Sequence, residues 1–355
     1  MSNLYLDGTK LHHHLESVQR WLKGELIAPL HVEVSPTGAC NHRCTFCYAD
    51  HNDHKLGTIK RDVLLQLMRD MGRMGVKSCL FAGDGEPLVH KHCTEAIRVG
   101  AESGVDMALN SNAVLLTEEK AREALPHLTW ARFSVMAHEP GLYADIHRTK
   151  PEDFQRAIDN IATAARIKRE QGLKVTIGIQ QVLLPGNGHG VPSLARLARD
   201  IGCDYYVLKQ FHHDEKNSGY AGDTAVNLMN RYRAEMEEAA TLSTDTFTSI
   251  IRWHTFAENG ERHYKHCLGL PFISQIAGNG KVYTCCPFFG DDRYELGDLN
   301  QDSYADIWSS EKAARVRKWV ETEQDVSTCM PYCRHHQVNR MCWSLKNPPD
   351  HVNFI

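Results

Sequence analysis

The sequence has 355 residues, with 44 Asp and Glu against 40 Lys and Arg, a formal charge of −4. This balance, with no basic run or aromatic–basic patch, argues against a nucleic-acid partner, and no apolar stretch approaches the ~20 residues needed to span a bilayer. The start of the chain lacks the charged-then-apolar layout of a secretory signal, so the twelve cysteines are expected in a reducing, cytoplasmic setting, where metal ligation accounts for them better than disulfides.

A chain of this length can bury roughly three quarters of its unfolded surface, enough for one large domain and a smaller one. Residues 1–24 read as an N-terminal helical segment, with His12, His13 and His14 on a helix surface. A short strand at 31–34 runs into Cys40-Asn-His-Arg-Cys44-Thr-Phe-Cys47-Tyr48. Val63, Leu64, Leu67, Met68 and Met71 then recur at a helical period. Strands are expected at 78–82, 106–110, 130–136, 175–184 and 205–209, with helices at 94–103, 118–125, 153–171 and 193–201. This alternation predicts an α/β fold with a parallel sheet, a partial six-stranded (β/α)6 TIM-like barrel over residues 25–220. Active sites in such folds lie at the carboxyl ends of the strands, where the cysteine loop falls. A helical linker is expected over 221–260. A small α+β domain over 261–355 follows, built on a β-hairpin that turns at Gly278-Asn279-Gly280.

The C-x3-C-x2-C run supplies three thiolates from one loop. A cubane of four irons normally takes four cysteines, so three leave one iron open to a ligand; a zinc knuckle is the alternative. The run resembles the signature of the radical S-adenosylmethionine (SAM) enzymes, in which a [4Fe-4S] cluster held by Cys40, Cys44 and Cys47 would chelate SAM and split it to a 5'-deoxyadenosyl radical. Three more segments match that family. Gly83-Asp84-Gly85-Glu86-Pro87 resembles its Gly-Gly-Glu-Pro motif, with Asp84 where glycine is common, and would receive the SAM ammonium. Asn112, in Asn110-Ser111-Asn112, falls where ribose-binding groups are commonly placed. Ser134 falls where the SAM carboxylate is often met. Phe46 and Tyr48 would support cluster and adenine by packing.

The C-terminal order of Cys267, the hairpin, Cys285, Leu296-Gly297-Asp298-Leu299 and Cys329-Met-Pro-Tyr-Cys333 is similar to the SPASM and twitch extensions of that family. The resemblance implies an auxiliary iron–sulfur cluster on Cys267, Cys285, Cys329 and Cys333, with Cys342 able to replace Cys333; a four-thiolate zinc site has the same requirement. Cys79, Cys93 and Cys203 read as buried small hydrophobes.

Twitch-bearing relatives include dehydrogenases and epimerases of sugars and aminocyclitols, so the resemblance implies hydrogen abstraction from a carbinol carbon of a sugar-like metabolite. Reduced flavodoxin or ferredoxin would supply the electron. Lys209, at the end of the sixth strand, is a candidate proton acceptor. Cys286 is a candidate hydrogen donor for epimerisation or a structural thiol beside the cluster. His147 and Arg148 could contact SAM or substrate or lie on the surface. A peptide-modifying enzyme is the alternative, against which the roughly 25 residues before the first strand count. A non-catalytic iron–sulfur or zinc protein is the alternative of another class.

Overall fold

The computed structural model describes residues 6–47, 49, 54–211, 220, 223–257, 262–330 and 333–354. Its strands are β1 (His31–Val34), β2 (Ser78–Phe81), β3 (Asp106–Ser111), β4 (Leu128–Ser134), β5 (Thr176–Val182), β6 (Tyr205–Lys209), β7 (Thr248–Ile251), β8 (Ile273–Ile276), β9 (Lys281–Tyr283) and β10 (Glu295–Asp298). They form one sheet in the order β10-β9-β8-β1-β2-β3-β4-β5-β6-β7, with β1 through β7 parallel. Helices Arg61–Met74, Cys93–Glu102, Glu118–Ala124, Glu152–Gln171 and Val191–Asp200 stand between successive strands. No helix among the described residues is long and apolar enough to cross a membrane.

Two features depart from expectation. The segment read as a helical linker does hold helices Ala225–Arg231 and Arg233–Ala240, but it also contains β7, a seventh parallel strand paired with β6. A four-residue strand emerging from the polar run Ser243-Thr-Asp-Thr gives little periodic signal. The hairpin, expected inside a separate small domain, belongs to the main sheet. Its first strand, β8, pairs parallel with β1, and β9 and β10 follow antiparallel. An unpaired β1 edge would leave a row of backbone donors and acceptors unsatisfied, and β8 takes them.

The two faces of the sheet differ sharply. Val32, Val34, Phe81, Leu109, Ala131, Phe133, Ile177, Ile179 and Leu208 are buried and share one apolar cluster with the helices. Alternate residues point the other way. Register puts Gln275, Glu33, Leu80, Ala108 and Trp130 in one row of that inner face. Asn110, Arg132, Gly178 and Tyr205 make the next, then Ser134, Gln180 and Val207, with Lys209 opposite Val182 at the carboxyl ends. At Gly178 a Cβ would lie 2.3 Å from the Tyr205 ring, so glycine is what lets that ring cross the row.

The N-terminal helix Leu15–Leu22 packs on the C-terminal region, Trp21 meeting Phe272 edge-on at 5.6 Å. Trp308 donates its indole N–H to the Ile27 carbonyl at 2.7 Å. The hairpin turn reaches the base of the cysteine loop, where a Cβ on Gly278 would sit 2.4 Å from Gly38 N and 2.8 Å from the Thr37 carbonyl carbon. Gly278→Ala is therefore expected to cost about 1–3 kcal/mol of stability through overpacking, read as a fall in Tm. It should also lower iron retained by the distant residues 40–47, measured against a Gly141→Ala control, where the added Cβ meets open space.

Candidate active site and sulfur centres

The cysteine loop is held by its backbone. Arg43 N–H donates to the His147 carbonyl at 3.1 Å and Thr45 N–H to Ile146 at 2.9 Å, anchoring the loop to the end of helix Pro140–His147. Cys47 N–H closes a turn on Cys44 O at 3.0 Å, and Arg43 Nη1 donates to the Cys40 and His42 carbonyls, both at 2.9 Å. Cys40, Cys44 and Cys47 are all partly exposed. Burial pushes the Cys40 thiol up to about 12, with Glu86 and Cys47 adding to the rise, so this sulfur becomes a thiolate only with a metal's charge beside it. Three such sulfurs on one short loop suit an iron–sulfur cluster.

The second motif packs against this loop. Gly83 has φ +151°, and a Cβ there would lie 2.4 Å from Ser35 Oγ; one on Gly85 would lie 2.3 Å from Thr37 O and 2.4 Å from Ala39 O. Asp84 between them needs no left-handed backbone, and burial raises its carboxyl. Glu86 is buried and accepts from Leu88 N at 3.0 Å, Ser111 Oγ at 2.7 Å and Asn112 N at 2.8 Å. Its carboxylate thus braces the ends of β2 and β3. Asn112 donates from Nδ2 to Asn41 Oδ1 at 2.8 Å, tying β3 to the cysteine loop. Ser134 stands on the inner face one row above Arg132. Phe46 packs on the core and meets His147 edge-on at 5.9 Å. Tyr48, and His212 to Asp214 beyond Lys209, lie outside the described residues.

His147 is the residue that sequence reasoning left undecided, and it is buried at 1% exposure rather than on the surface. Its Nε2 accepts from Met136 N–H at 3.3 Å, which leaves the proton on Nδ1, 3.2 Å from Cys44 Sγ. Burial holds the ring well below the usual histidine range, so it is neutral and donates one N–H···S hydrogen bond. Tyr143 stacks on it at 4.1 Å. Arg148 is exposed.

In the C-terminal region Cys267, Cys285, Cys329 and Cys333 lie within electrostatic reach of one another. Burial, then Cys333, pushes Cys267 up to about 12; burial carries Cys329 to about 11 and raises Cys333; Cys285 is raised by its hydrogen bond with Cys286 and by burial. Asn339 Nδ2 lies 3.4 Å from Cys267 Sγ and Gln324 Nε2 3.3 Å from Cys329 Sγ. Four partly buried thiols with amide donors aimed at two of them fit a fully ligated cluster. Cys342 sits elsewhere, fully buried among Leu11, Val18, Trp21 and Phe272. Cys286 is also buried, in an apolar cluster with Tyr283 and Phe289. Cys79, Cys93 and Cys203 are buried small side chains.

Lys209 ends β6 at the mouth of the inner face. Burial lowers its ammonium to about 7, helped by Arg132, Arg334 and Arg252 and opposed by Glu33. Burial works against ionised Glu33, yet the Arg334 pair and His31 hold it down to about 2. The arginines were not singled out in the sequence, although the period-2 run Trp130-Ala131-Arg132-Phe133-Ser134 could have placed Arg132 opposite the core.

Two family models match the chain: the radical SAM superfamily over residues 34–190 and an iron–sulfur cluster-binding domain, SPASM, over 267–337. Among curated relatives, a tungsten-containing aldehyde ferredoxin oxidoreductase cofactor-modifying protein of Pyrococcus furiosus is 22% identical, covering 80% of this chain and 81% of its own. A GTP 3',8-cyclase of Aquifex aeolicus is 23% identical over 86% and 98%. Streptococcus suis SuiB bound to S-adenosylmethionine has the same fold, with a TM-score of 0.66 at 15% identity, over 100% of this chain and 84% of that one.

Two measurements follow from the sulfur geometry. His147→Phe keeps the stacking ring and removes the donor to Cys44. Losing that hydrogen bond should make the N-terminal cluster harder to reduce by about 1 kcal/mol, roughly 40 mV for a one-electron couple, in an EPR-monitored redox titration. An unchanged potential would remove the donor role. In the C-terminal region, Cys333→Ala should lower iron per chain after anaerobic reconstitution, whereas Cys342→Ala should leave iron unchanged and lower only Tm.

Proposed function

This chain belongs to the radical SAM superfamily and carries a C-terminal iron–sulfur SPASM domain; on that premise we propose that it is a dehydrogenase of a carbinol carbon in a small hydroxylated metabolite. When bound, the SAM-ligating cluster held by Cys40, Cys44 and Cys47 would supply radical chemistry for removing the carbon-bound hydrogen, and an auxiliary cluster on Cys267, Cys285, Cys329 and Cys333 would supply an acceptor for one electron.

The observation that carries the reading is Lys209. It stands at the carboxyl end of β6 on the inner face of the sheet, and its lowered ammonium, about 7, makes a neutral amine available at physiological pH. That amine takes the hydroxyl proton of the substrate. With one hydrogen atom and one electron removed by those groups, the O–H proton taken up by Lys209 would complete the two-electron balance of a ketone. Backbone around Gly83 and Gly85 offers close approach to the SAM ammonium, and Asn112 and Ser134 line the strand ends beside it. Cys286 favours oxidation over epimerisation, because its thiol is buried in an apolar cluster and hydrogen-bonded with Cys285 instead of standing ready to return a hydrogen atom.

The test uses reconstituted protein, dithionite, SAM and a panel of hydroxylated metabolites in D2O. A new carbonyl without carbon-bound deuterium supports the reading; deuterium at an inverted centre, or modification only of a peptide, overturns it. Because only the neutral amine accepts a proton, turnover should rise with pH through about 7 and level off above it. Lys209→Met should lower carbonyl formation by about 100-fold or more while 5'-deoxyadenosine release persists.

A further inference from the structure

We propose that Asn339 and Gln324 are positioning residues of the C-terminal iron–sulfur cluster: their side-chain amides hold the Cys267 and Cys329 sulfurs by N–H···S hydrogen bonds and raise the cluster's reduction potential, favouring uptake of an electron. Any substrate of the inner face would meet the same acceptor, so this goes beyond the dehydrogenase reading.

Asn339 lies on helix His336–Lys346 and is buried at 1% exposure. Its Oδ1 accepts from Leu268 N–H at 2.7 Å and from Gly269 N–H at 2.8 Å. Two backbone donors on one oxygen fix which end of the amide is which, so the atom 3.4 Å from Cys267 Sγ is Nδ2. An amide nitrogen only donates, and the contact is therefore N–H···S. Gln324, also buried, follows helix Glu311–Thr322 and is held through its backbone from two sides. Its N–H donates to Trp319 O at 3.2 Å, and its carbonyl accepts from His266 Nδ1 at 3.0 Å. Its Nε2 then reaches Cys329 Sγ at 3.3 Å.

A buried amide costs stability unless its donors are used, so sulfur is what makes these two side chains tolerable where leucine or methionine would otherwise pack as well. Other donors act in the same direction. Main-chain N–H groups of Gly269 and His335 reach Cys267 and Cys333. Arg262 donates from Nη1 to the Val326 carbonyl and from Nη2 to the Met330 carbonyl, so one guanidinium gathers the loop on either side of Cys329. Its positive charge favours the thiolate at both Cys329 and Cys333. Each electron taken up spreads negative charge onto the sulfurs of a cluster. A donor or cation fixed beside them therefore stabilises the reduced state more than the oxidised one.

The experiment is an EPR-monitored redox titration of the reconstituted full chain, with a Cys40→Ala, Cys44→Ala, Cys47→Ala triple variant run alongside to assign the C-terminal signal. Gln324→Met and Asn339→Leu should each shift the C-terminal cluster about fivefold toward its oxidised form at a fixed potential. That is a midpoint roughly 40 mV lower for a one-electron couple, with the N-terminal signal unmoved. Gln301→Met, at an exposed glutamine in the turn after β10, should move neither signal. Iron per chain reports whether each variant keeps its cluster. Asn339→Leu also strips the acceptor from two backbone N–H groups, so if it alone loses iron, Gln324→Met decides. A wild-type or raised midpoint in iron-replete Gln324→Met, iron lost from both variants, or zinc in place of a redox-active C-terminal centre overturns the proposal. Carbonyl formation plays no part in the readout, so the dehydrogenase reading can fail while this one stands, and the reverse.

Discussion

The structure depends on backbone meeting backbone at Ser35–Ala39, the turn between β1 and the cysteine loop. Gly83 and Gly85 press on it from the β2 side and Gly278 from the hairpin, each at a distance that no side chain would permit. A loop that must present three sulfurs in fixed geometry cannot rely on long side chains for its position, because each would add rotamer freedom to be frozen out. Main-chain contact on two sides avoids that cost. The same turn couples the two halves of the chain: β8, which leads into Gly278, is paired to β1, which leads into the loop.

The sheet also separates two kinds of chemistry. Its outer face packs Val34, Phe133 and Ile179 against helices at full burial, and its inner face gathers Arg132, Lys209 and Glu33 one residue out of phase. With the period fixed at two, a one-residue slip would place charge in the core and apolar side chains in the chamber, so burial of one face fixes the register that composes the other. Stability of the fold and chemistry of the site are thus enforced by a single pattern.

Much of this was legible in the sequence, and for physical reasons the rest was not. The cysteine loop, the first six parallel strands and the hairpin turn depend on local spacing, and they stand where the sequence placed them. The pairing of β8 with β1 joins residues more than two hundred positions apart, which no local period encodes. Cys333 and Cys342 are equivalent as spacings; what distinguishes them is that the N-terminal helix covers Cys342 with Val18 and Trp21. His147 gains its bond to Cys44 only because helix Pro140–His147 docks its last turn on the loop. Glu86, read as a ligand for an ammonium, also accepts from Leu88 N, Ser111 Oγ and Asn112 N, a bracing role that no local spacing encodes.

The choice of cations in the chamber has a consequence of its own. Arginine keeps its proton under any accessible condition, whereas a buried lysine yields one readily. Burial lowers the Lys209 ammonium first, and Arg132, Arg334 and Arg252 around it add their repulsion on a group able to relieve it by losing a proton. Glu33 opposes that shift, but its charge is already shared with Arg334, so it tempers the effect without cancelling it. A histidine in place of Lys209 would have been driven far below neutrality by the same surroundings, leaving its conjugate acid too strong to hold a substrate proton. A lysine starts high enough to be brought near 7, which is why the chamber can be at once strongly cationic and furnished with a base.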